Sequence, residues 1–372
     1  MNLNWRLLNI QTVTCLTMKT YNVVDLFSGV GGLSYGFSIL PEFNIVMANE
    51  IEKDISIAYK LNHPNVNMLN CSINELTEEL LRSTIDNAEV DVVVGGPPCQ
   101  SYSTLGKRQL DERASLFLQY KRVLDILKPR AFVFENVVGI LSMDNGRLFQ
   151  RVKKEFEDIG YSLKHQVLNA VDYGVPQYRE RVILVGFKGE NNFQYPQPTH
   201  GRGLKPYVVL RDAIGDLPIL GSGETRDCYV GPASNEFLKF VRADKSSKVS
   251  EHTAPKNGEH LIRIMQALKD GQSKEDLPED IRPKSGYGNT YAKLWWERPA
   301  TTITRNFACP SSSRCIHPID SRALSIREGA RLQSFPDSYK FYGSATMKRL
   351  EIGNAVPPLL SVAIAKQLLK AL

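Results

Sequence analysis

From residue 21 onward the chain alternates short runs of β-branched and other apolar residues with stretches of helical periodicity. Continuous apolar runs, rather than strict apolar–polar alternation, predict strands buried on both faces and hence a mostly parallel sheet covered by helices. Strands are expected at 21–27, 43–49, 66–73, 90–94 and 131–135, with two further strand-like runs near 162–171 and 181–187. Helical patterns run from a glycine-rich turn at 28–32 to about 40, from Glu50 to about 62, over 116–127 and over about 147–159. After 187 the alternation fails. Residues 190–290 are rich in Gly, Pro, Asn and Ser, with one clear helical pattern near 261–268. They predict a small loop-rich domain or a long insertion, and the polar stretch 244–258 is expected to be mobile. Regular patterning returns near 291 and ends in an apolar helix at 359–369. The expected fold class is α/β, a doubly wound, mostly parallel sheet with a second, smaller loop-rich domain.

Composition narrows the class without deciding it. The 372 residues are 42% hydrophobic and 23% charged, a globular balance that excludes a wholly disordered chain. No apolar run reaches the ~20 residues of a bilayer span, so no membrane association is expected. Residues 1–18 lack the compact apolar block of a signal peptide, and Met18 is a candidate second start beside Met1. The six cysteines have no CxxC spacing and the six histidines are scattered, which predicts reduced thiols in a cytoplasm and no metal site. The net charge is +6, and residues 298–349 carry nine Lys or Arg against three Asp or Glu. A surplus gathered in one segment suggests a polyanionic partner there.

Four places carry candidate chemistry. The first strand runs into Asp25-Leu26-Phe27-Ser28-Gly29-Val30-Gly31-Gly32. A glycine turn between strand and helix lets backbone approach a ligand, or is a tight turn and nothing more. Glu50 at the tip of the second strand is placed to accept ribose hydroxyls, and this order favours an adenosine-bearing cofactor. The spacing departs from GxGxxG, so a dinucleotide is disfavoured. Gly95-Gly96-Pro97-Pro98-Cys99-Gln100-Ser101 follows the fourth strand, at the end of a parallel sheet where ligands bind. Two prolines stiffen the backbone ahead of Cys99, which favours a nucleophilic thiol over an inert one. Glu135, at the end of an apolar strand, either holds a proton for catalysis or caps the next turn. In Gln177-Tyr178-Arg179-Glu180-Arg181 the two arginines alternate, forming a fork for carbonyl or phosphate oxygens or an ion pair with Glu180.

In their order these motifs resemble the cytosine carbon-5 DNA methyltransferase family of bacterial restriction–modification type. The resemblance covers about residues 23–368: DLFSGVGG at 25–32, GGPPCQSYS at 95–103, ENV at 135–137, QYRER at 177–181, RPATTI at 298–303, REGARLQSFPD at 327–337 and GNAVPP at 353–358. It implies a Rossmann-like domain binding S-adenosyl-L-methionine and a smaller DNA-reading domain across a cleft. The expected division is an extension at 1–20, a catalytic and cofactor domain at 21–188, target recognition at 189–297, a basic cleft segment and hinge at 298–350, and a helix at 351–372 returning to the first domain. Cofactor contacts are implied for Phe27, Ser28, Gly29, Gly31, Gly32, Glu50, Ile73, Pro97 and Asn354. Where the family carries an acid before Ile73, this chain has Ser72.

The resemblance also implies a mechanism. Carbon 5 of cytosine is a poor nucleophile until the Cys99 thiolate adds to carbon 6 and makes it enamine-like. Glu135 would contact ring N3 and the exocyclic amine, Arg181 the ring carbonyl, and Arg179 would support Arg181 or its loop. The methyl then passes to carbon 5, and loss of the carbon-5 proton expels Cys99. The base must leave the duplex first, at a cost of a few kcal/mol. A loop at 101–111 is expected to close over it, with Gly106 as a flexible point and Ser101, Lys107 and Arg108 meeting DNA. Arg305 is expected on phosphate with Arg298, Arg314, Arg322, Arg327 and Arg331, any one of which also reads as a solvated or intradomain ion pair, Arg327 with Glu328 and Arg331 above all. The transfer-RNA branch of the family carries a Cys-Phe-Thr triplet that is absent here, Cys228 being followed by Tyr229-Val230. An inactive DNA-binding relative would lack Cys99, Glu135 or the arginines, and a nicotinamide oxidoreductase leaves Pro-Pro-Cys-Gln unexplained. The expected partners are double-stranded DNA and a cognate restriction endonuclease, for a monomer in a bacterial cytoplasm at the nucleoid.

Overall fold

A computed structural model describes residues 19–98, 116–244, 246–284, 286 and 288–372. Their elements in chain order are β1 Tyr21–Leu26, α1 Gly32–Ser38, β2 Phe43–Asn49, α2 Lys53–Asn62, β3 Asn67–Leu69, α3 Glu78–Thr84, β4 Val92–Gly95, α4 Leu116–Leu127, β5 Ala131–Val137, α5 Arg147–Glu157, β6 Tyr161–Asn169 and β7 Glu180–Lys188. The second half adds α6 Leu210–Ile214, α7 Glu236–Val241, α8 Glu259–Ala267, β8 Ala292–Lys293, β9 Arg314–Ile316, α9 Ile326–Leu332, α10 Ala345–Asn354 and α11 Pro358–Ala371.

The sheet order is β3-β2-β1-β4-β5-β7-β6. The first five strands are parallel, and β7 runs antiparallel to both β5 and β6. Successive side chains of a strand face opposite ways, and the central strands divide accordingly. Val23, Val92, Val94, Val133 and Ile183 face α1 and α11, whereas Val24, Val93, Phe132, Phe134 and Leu184 face α3, α4 and α5. Phe132, Phe134, Tyr120 and Phe156 interlock with ring centroids 4.9–6.1 Å apart. Truncating one of them to Ala costs about 3–5 kcal/mol. Strand order reverses at the β1–β4 junction, where Leu26 pairs with Gly95. The glycine turn and the Pro-Pro segment therefore leave the sheet side by side, at the crevice where doubly wound sheets bind ligands.

The second half shares a core with the first. Val30, Ile55 and Ala58 join Leu210, Phe237, Val249, Leu294, Phe307, Leu324, Phe335 and Ile352 in one cluster. This cluster runs across the 297/298 boundary. Pro358 opens α11, and the Ser361 hydroxyl donates to the Leu33 carbonyl, so the last helix lies on α1.

Several expectations change. The third strand is short because Ser72 caps a 3-10 turn, Ile73–Glu75, in a reciprocal box with Glu75. Helix α3 went unread although Thr77 accepts from the Leu80 amide at its N-terminus. The region 190–290 contains α6 and α7 as well as α8. The stretch 244–258 is packed: Val249, His252 and Ala254 are buried, with bridges Cys228–Lys248 and Thr225–Thr253. Ala345–Ala371 is long and apolar enough for a bilayer by length and composition only, although its longest uncharged run, 352–365, stays short of the ~20 residues of a span. It is broken between α10 and α11 and 61% buried, which makes it core.

Candidate active site

One side of the crevice is formed at the tips of β1 and β2. Phe27, Gly29 and Gly31 all take positive φ, at 55°, 54° and 94°. For a bulky residue such as Phe27 that is a strained conformation, held only when the surroundings impose it. The Gly31 position is closed to any side chain, since a Cβ would lie 2.7 Å from His63 Nε2 and 2.8 Å from the Tyr339 hydroxyl. The space over Gly29 is clear to 4 Å. Glu50 is nearly buried, and its two oxygens accept the Gly29 amide at 3.0 Å and the Glu52 amide at 2.9 Å. Burial pushes its carboxyl upward while those amides pull it back. Each oxygen keeps a lone pair for a hydroxyl. The Ser28 hydroxyl is buried with no partner among the described residues. Ile51, next to Glu50, is 62% exposed, an apolar surface beside the cradle that sequence reasoning passed over. Ile73 is buried among the β1 and β4 side chains, and Gly32 begins α1. The unpartnered Ser28 hydroxyl, the open space at Gly29 and the Glu50 carboxylate fit a ligand bearing vicinal hydroxyls.

The other side is built by the tips of β4, β5 and β7. Antiparallel register sets Arg181 opposite Val137 and Ile183 opposite Glu135, so Arg181 lies on the diagonal from Glu135. Arg181 Nε reaches Glu135 Oε1 at 2.8 Å, and both side chains are largely enclosed. Glu135 is therefore ion-paired rather than alone at the end of an apolar strand. Glu180, the alternative partner for Arg181, meets it only through its backbone carbonyl. A Cβ on Gly96 would lie 2.6 Å from Glu135 Oε2, so glycine is what lets the two strand tips close. Asn136 donates from Nδ2 to the Pro97 carbonyl at 3.0 Å, fixing the backbone just ahead of Cys99.

Arg179 does a different job from its neighbour. It is 1% exposed, and its guanidinium donates to the carbonyls of Ile303, Gly353 and Ala355 at 2.9–3.0 Å. Burial, with Arg181 nearby, pulls its proton affinity down while Glu135 opposes. It cannot touch a substrate and is a positioning residue, which corrects its expected place in the catalytic set. Gln177 completes the hub: it donates to the Leu332 carbonyl and to Gln333 Oε1 at 2.7 Å and accepts the Ile303 amide at 2.9 Å. Gln333 in turn donates to the Ile352 carbonyl. The motifs at 177–181, 298–303, 327–337 and 353–358 thus meet in one buried polar knot. Gln333 had no role in the sequence reading, since a buried amide leaves no periodic signal.

Three arginines of the basic segment are internal, and its three acids are buried with them. Arg322 pairs with Glu328 and Asp320 at 2.7 Å, Arg331 pairs with Asp337 at 2.7 Å and with Asp216, and Arg327 spans Ser250, Pro336 and Tyr339. All three are 0–1% exposed. Arg322, Arg327 and Arg331 are internal, and the expectation of phosphate contact fails for them. Arg314 is half-buried, donating to the Gly271 and Lys293 carbonyls against Trp295. Arg298 is exposed over Trp295, and Arg305 is exposed with its backbone packed on Gly353, next to the exposed Asn354.

Residues 21–370 match the family described as C-5 cytosine-specific DNA methylase. The chain belongs to that family. It is 34% identical to the type II methyltransferase M1.HphI of Haemophilus parahaemolyticus, covering 96% of this chain and 88% of that one. It is 37% identical to M.DdeI of Desulfomicrobium norvegicum, covering 93% and 88%. A crystal structure of a prophage-encoded E. coli protein described as a DNA modification methyltransferase superposes with a TM-score of 0.78 at 24% identity, over 95% of this chain and 99% of that one. This chain is thus a DNA cytosine-5 methyltransferase of restriction–modification type, on the α/β fold expected. Within such a methyltransferase Cys99, Ser101, Gly106, Lys107 and Arg108 lie outside the described residues. The structure brings Glu135, Arg181 and Pro97 together at one edge of the crevice and the glycine turn with Glu50 at the other.

Proposed function

We propose that this methyltransferase modifies a cytosine within a short duplex DNA word, through Cys99 addition at carbon 6, and protects that word from a cognate restriction endonuclease. The observation that carries the site assignment is the Glu135–Arg181 pair at 2.8 Å, one strand from the Pro97 carbonyl that Asn136 holds. An extrahelical cytosine offers its exocyclic amine to a carboxylate oxygen and its carbonyl oxygen to a guanidinium, and its N3, an acceptor, is met by the same carboxyl only when that is protonated. The enclosed pair presents those two groups on adjacent strands. Glu135 stabilises charge developing on the ring, Arg181 orients the carbonyl, and Arg179 fixes the strand start from behind. Cys99 supplies the thiolate and is expelled when the carbon-5 proton leaves. S-adenosyl-L-methionine, when bound, supplies an electrophilic methyl group on sulfonium. Phe27, Ser28, Gly29, Gly31, Gly32, Glu50, Ile73, Pro97 and Asn354 would hold it, Glu50 through the ribose hydroxyls and Ile51 beside the base. Ser72 is occupied as a helix cap, so no acid takes its place at that point of the cradle.

Ser101, Lys107, Arg108 and Arg305 are proposed DNA contacts, and 189–297 the region that reads the word. A monomer working in the cytoplasm at the nucleoid suffices for one methyl per encounter. Bisulfite sequencing of plasmid from a host without cytosine methylation, expressing this chain or its Cys99→Ala variant, tests the proposal. Protected cytosines in one short word, lost with Cys99→Ala, are expected. No protected cytosine from soluble protein would overturn the DNA assignment and direct the search to transfer RNA.

A further inference from the structure

The glycine turn of the cofactor cradle is braced from the other half of the molecule. Tyr339 lies 309 residues beyond Val30, yet its hydroxyl donates to the Val30 carbonyl at 2.7 Å. A carbonyl only accepts, so the tyrosine proton points at Val30. His63 Nε2, 3.2 Å from the same hydroxyl, must then be the donor to it. The two side chains form a one-way relay, His63 to Tyr339 to Val30. His63 is fixed in place by its ring on Tyr59, with centroids 4.6 Å apart, and the Tyr59 hydroxyl meets Ser34, which donates to Asp25 at 2.5 Å. Burial lowers the imidazole to about 4, so His63 is neutral at pH 7 and the relay does not depend on its charge.

Three residues of this turn take left-handed conformations. Glycine adopts such a conformation freely, and what the Tyr339 hydroxyl and the His63 ring hold is the turn at Val30 and Gly31. Tyr339 itself is tied to the second half, because its backbone carbonyl accepts from Arg327 and its ring packs on Phe335 and Phe341.

We propose that Tyr339, backed by His63, is a positioning residue for the cofactor turn, so that the segment 298–350 sets part of the affinity of the S-adenosyl-L-methionine site. The inference rests on the cradle assigned under the proposed function. Calorimetric titration of the full chain with S-adenosyl-L-methionine tests it, with Tyr339→Phe compared against Tyr35→Phe. Tyr35 packs edge-on to Tyr339 at 6.1 Å and serves as the packing control. Tyr339→Phe keeps the ring and removes the hydroxyl, leaving a buried carbonyl unpaired, so affinity should fall about tenfold. The rate at saturating cofactor and the affinity for plasmid DNA should stay near wild type, the thermal midpoint should fall by only about a few degrees, and Tyr35→Phe should bind as wild type does. Unchanged cofactor affinity in Tyr339→Phe overturns the inference, as does an equal fall in cofactor and DNA affinity. Should Tyr339→Phe fail to fold, His63→Leu carries the same test, with the loss again confined to the cofactor. Wild-type protein that binds no S-adenosyl-L-methionine would defeat the cradle assignment instead.

Discussion

The tips of β5 and β7 and the segment 298–349 both hold arginines facing carboxylates, and they use them oppositely. At the strand tips Arg181 meets Glu135 at the mouth of the crevice, where a substrate can share the pair. In the later segment Arg322, Arg327 and Arg331 are sealed among Asp320, Glu328, Asp337 and Asp216. Burial works against the charge on Arg331, yet its two aspartates hold its proton more firmly than in water. Burial likewise opposes the ionised form of Glu328, but Arg322 keeps its carboxyl below the usual range. On the proposed function, an identical ion pair is thus a reaction site at the end of a parallel strand and an internal brace around a capped helix. Position in the fold decides which, not residue type.

The largest effect that sharpens this contrast is on stability. Arg331→Ala removes the cation that Asp216 and Asp337 share, leaving Asp216 to Arg242 at 3.0 Å and Asp337 to Arg327 at 3.6 Å, and breaking such a buried pair costs about 3–5 kcal/mol. Urea unfolding should show the loss, and a change under about 1 kcal/mol would mean that the braces are dispensable. The smallest effect belongs to Arg305, which is exposed. Arg305→Ala should leave the unfolding midpoint in place, weaken DNA binding several-fold and reduce the salt dependence of binding by about one phosphate contact. An unchanged salt slope would remove Arg305 from the DNA face and leave that segment without a demonstrated contact.

The same contrast explains what could be read in the sequence. Strands such as Val92–Gly95 and Ala131–Val137 are continuous apolar runs, and the residues at their ends inherit an address from the fold. Glu135, Pro97 and Glu50 could be placed at the strand tips for that reason. Counting Lys and Arg over 298–349 could not separate internal from external charge, because the acids that bury Arg331 include Asp216, 115 residues away. The capping box Ser325–Glu328 was visible as a helix start, but what it packs against was not. Arg179 alternated with Arg181 as expected, yet its partners are carbonyls from 303, 353 and 355, which no local pattern announces. The Tyr339 brace was missed for the same reason, since its meaning lies wholly in a contact between distant segments.

The central claim is that the Glu135–Arg181 pair acts on the base, whereas the Arg331 pairs only hold structure. The most direct test is the single-turnover rate of methyl transfer by Glu135→Gln at saturating DNA and S-adenosyl-L-methionine. Glutamine keeps the shape and removes the charge, so the rate should fall about 10²–10³-fold, with both affinities and the unfolding midpoint near wild type. A rate within about threefold of wild type would contradict the account and make the strand-tip pair one more internal brace.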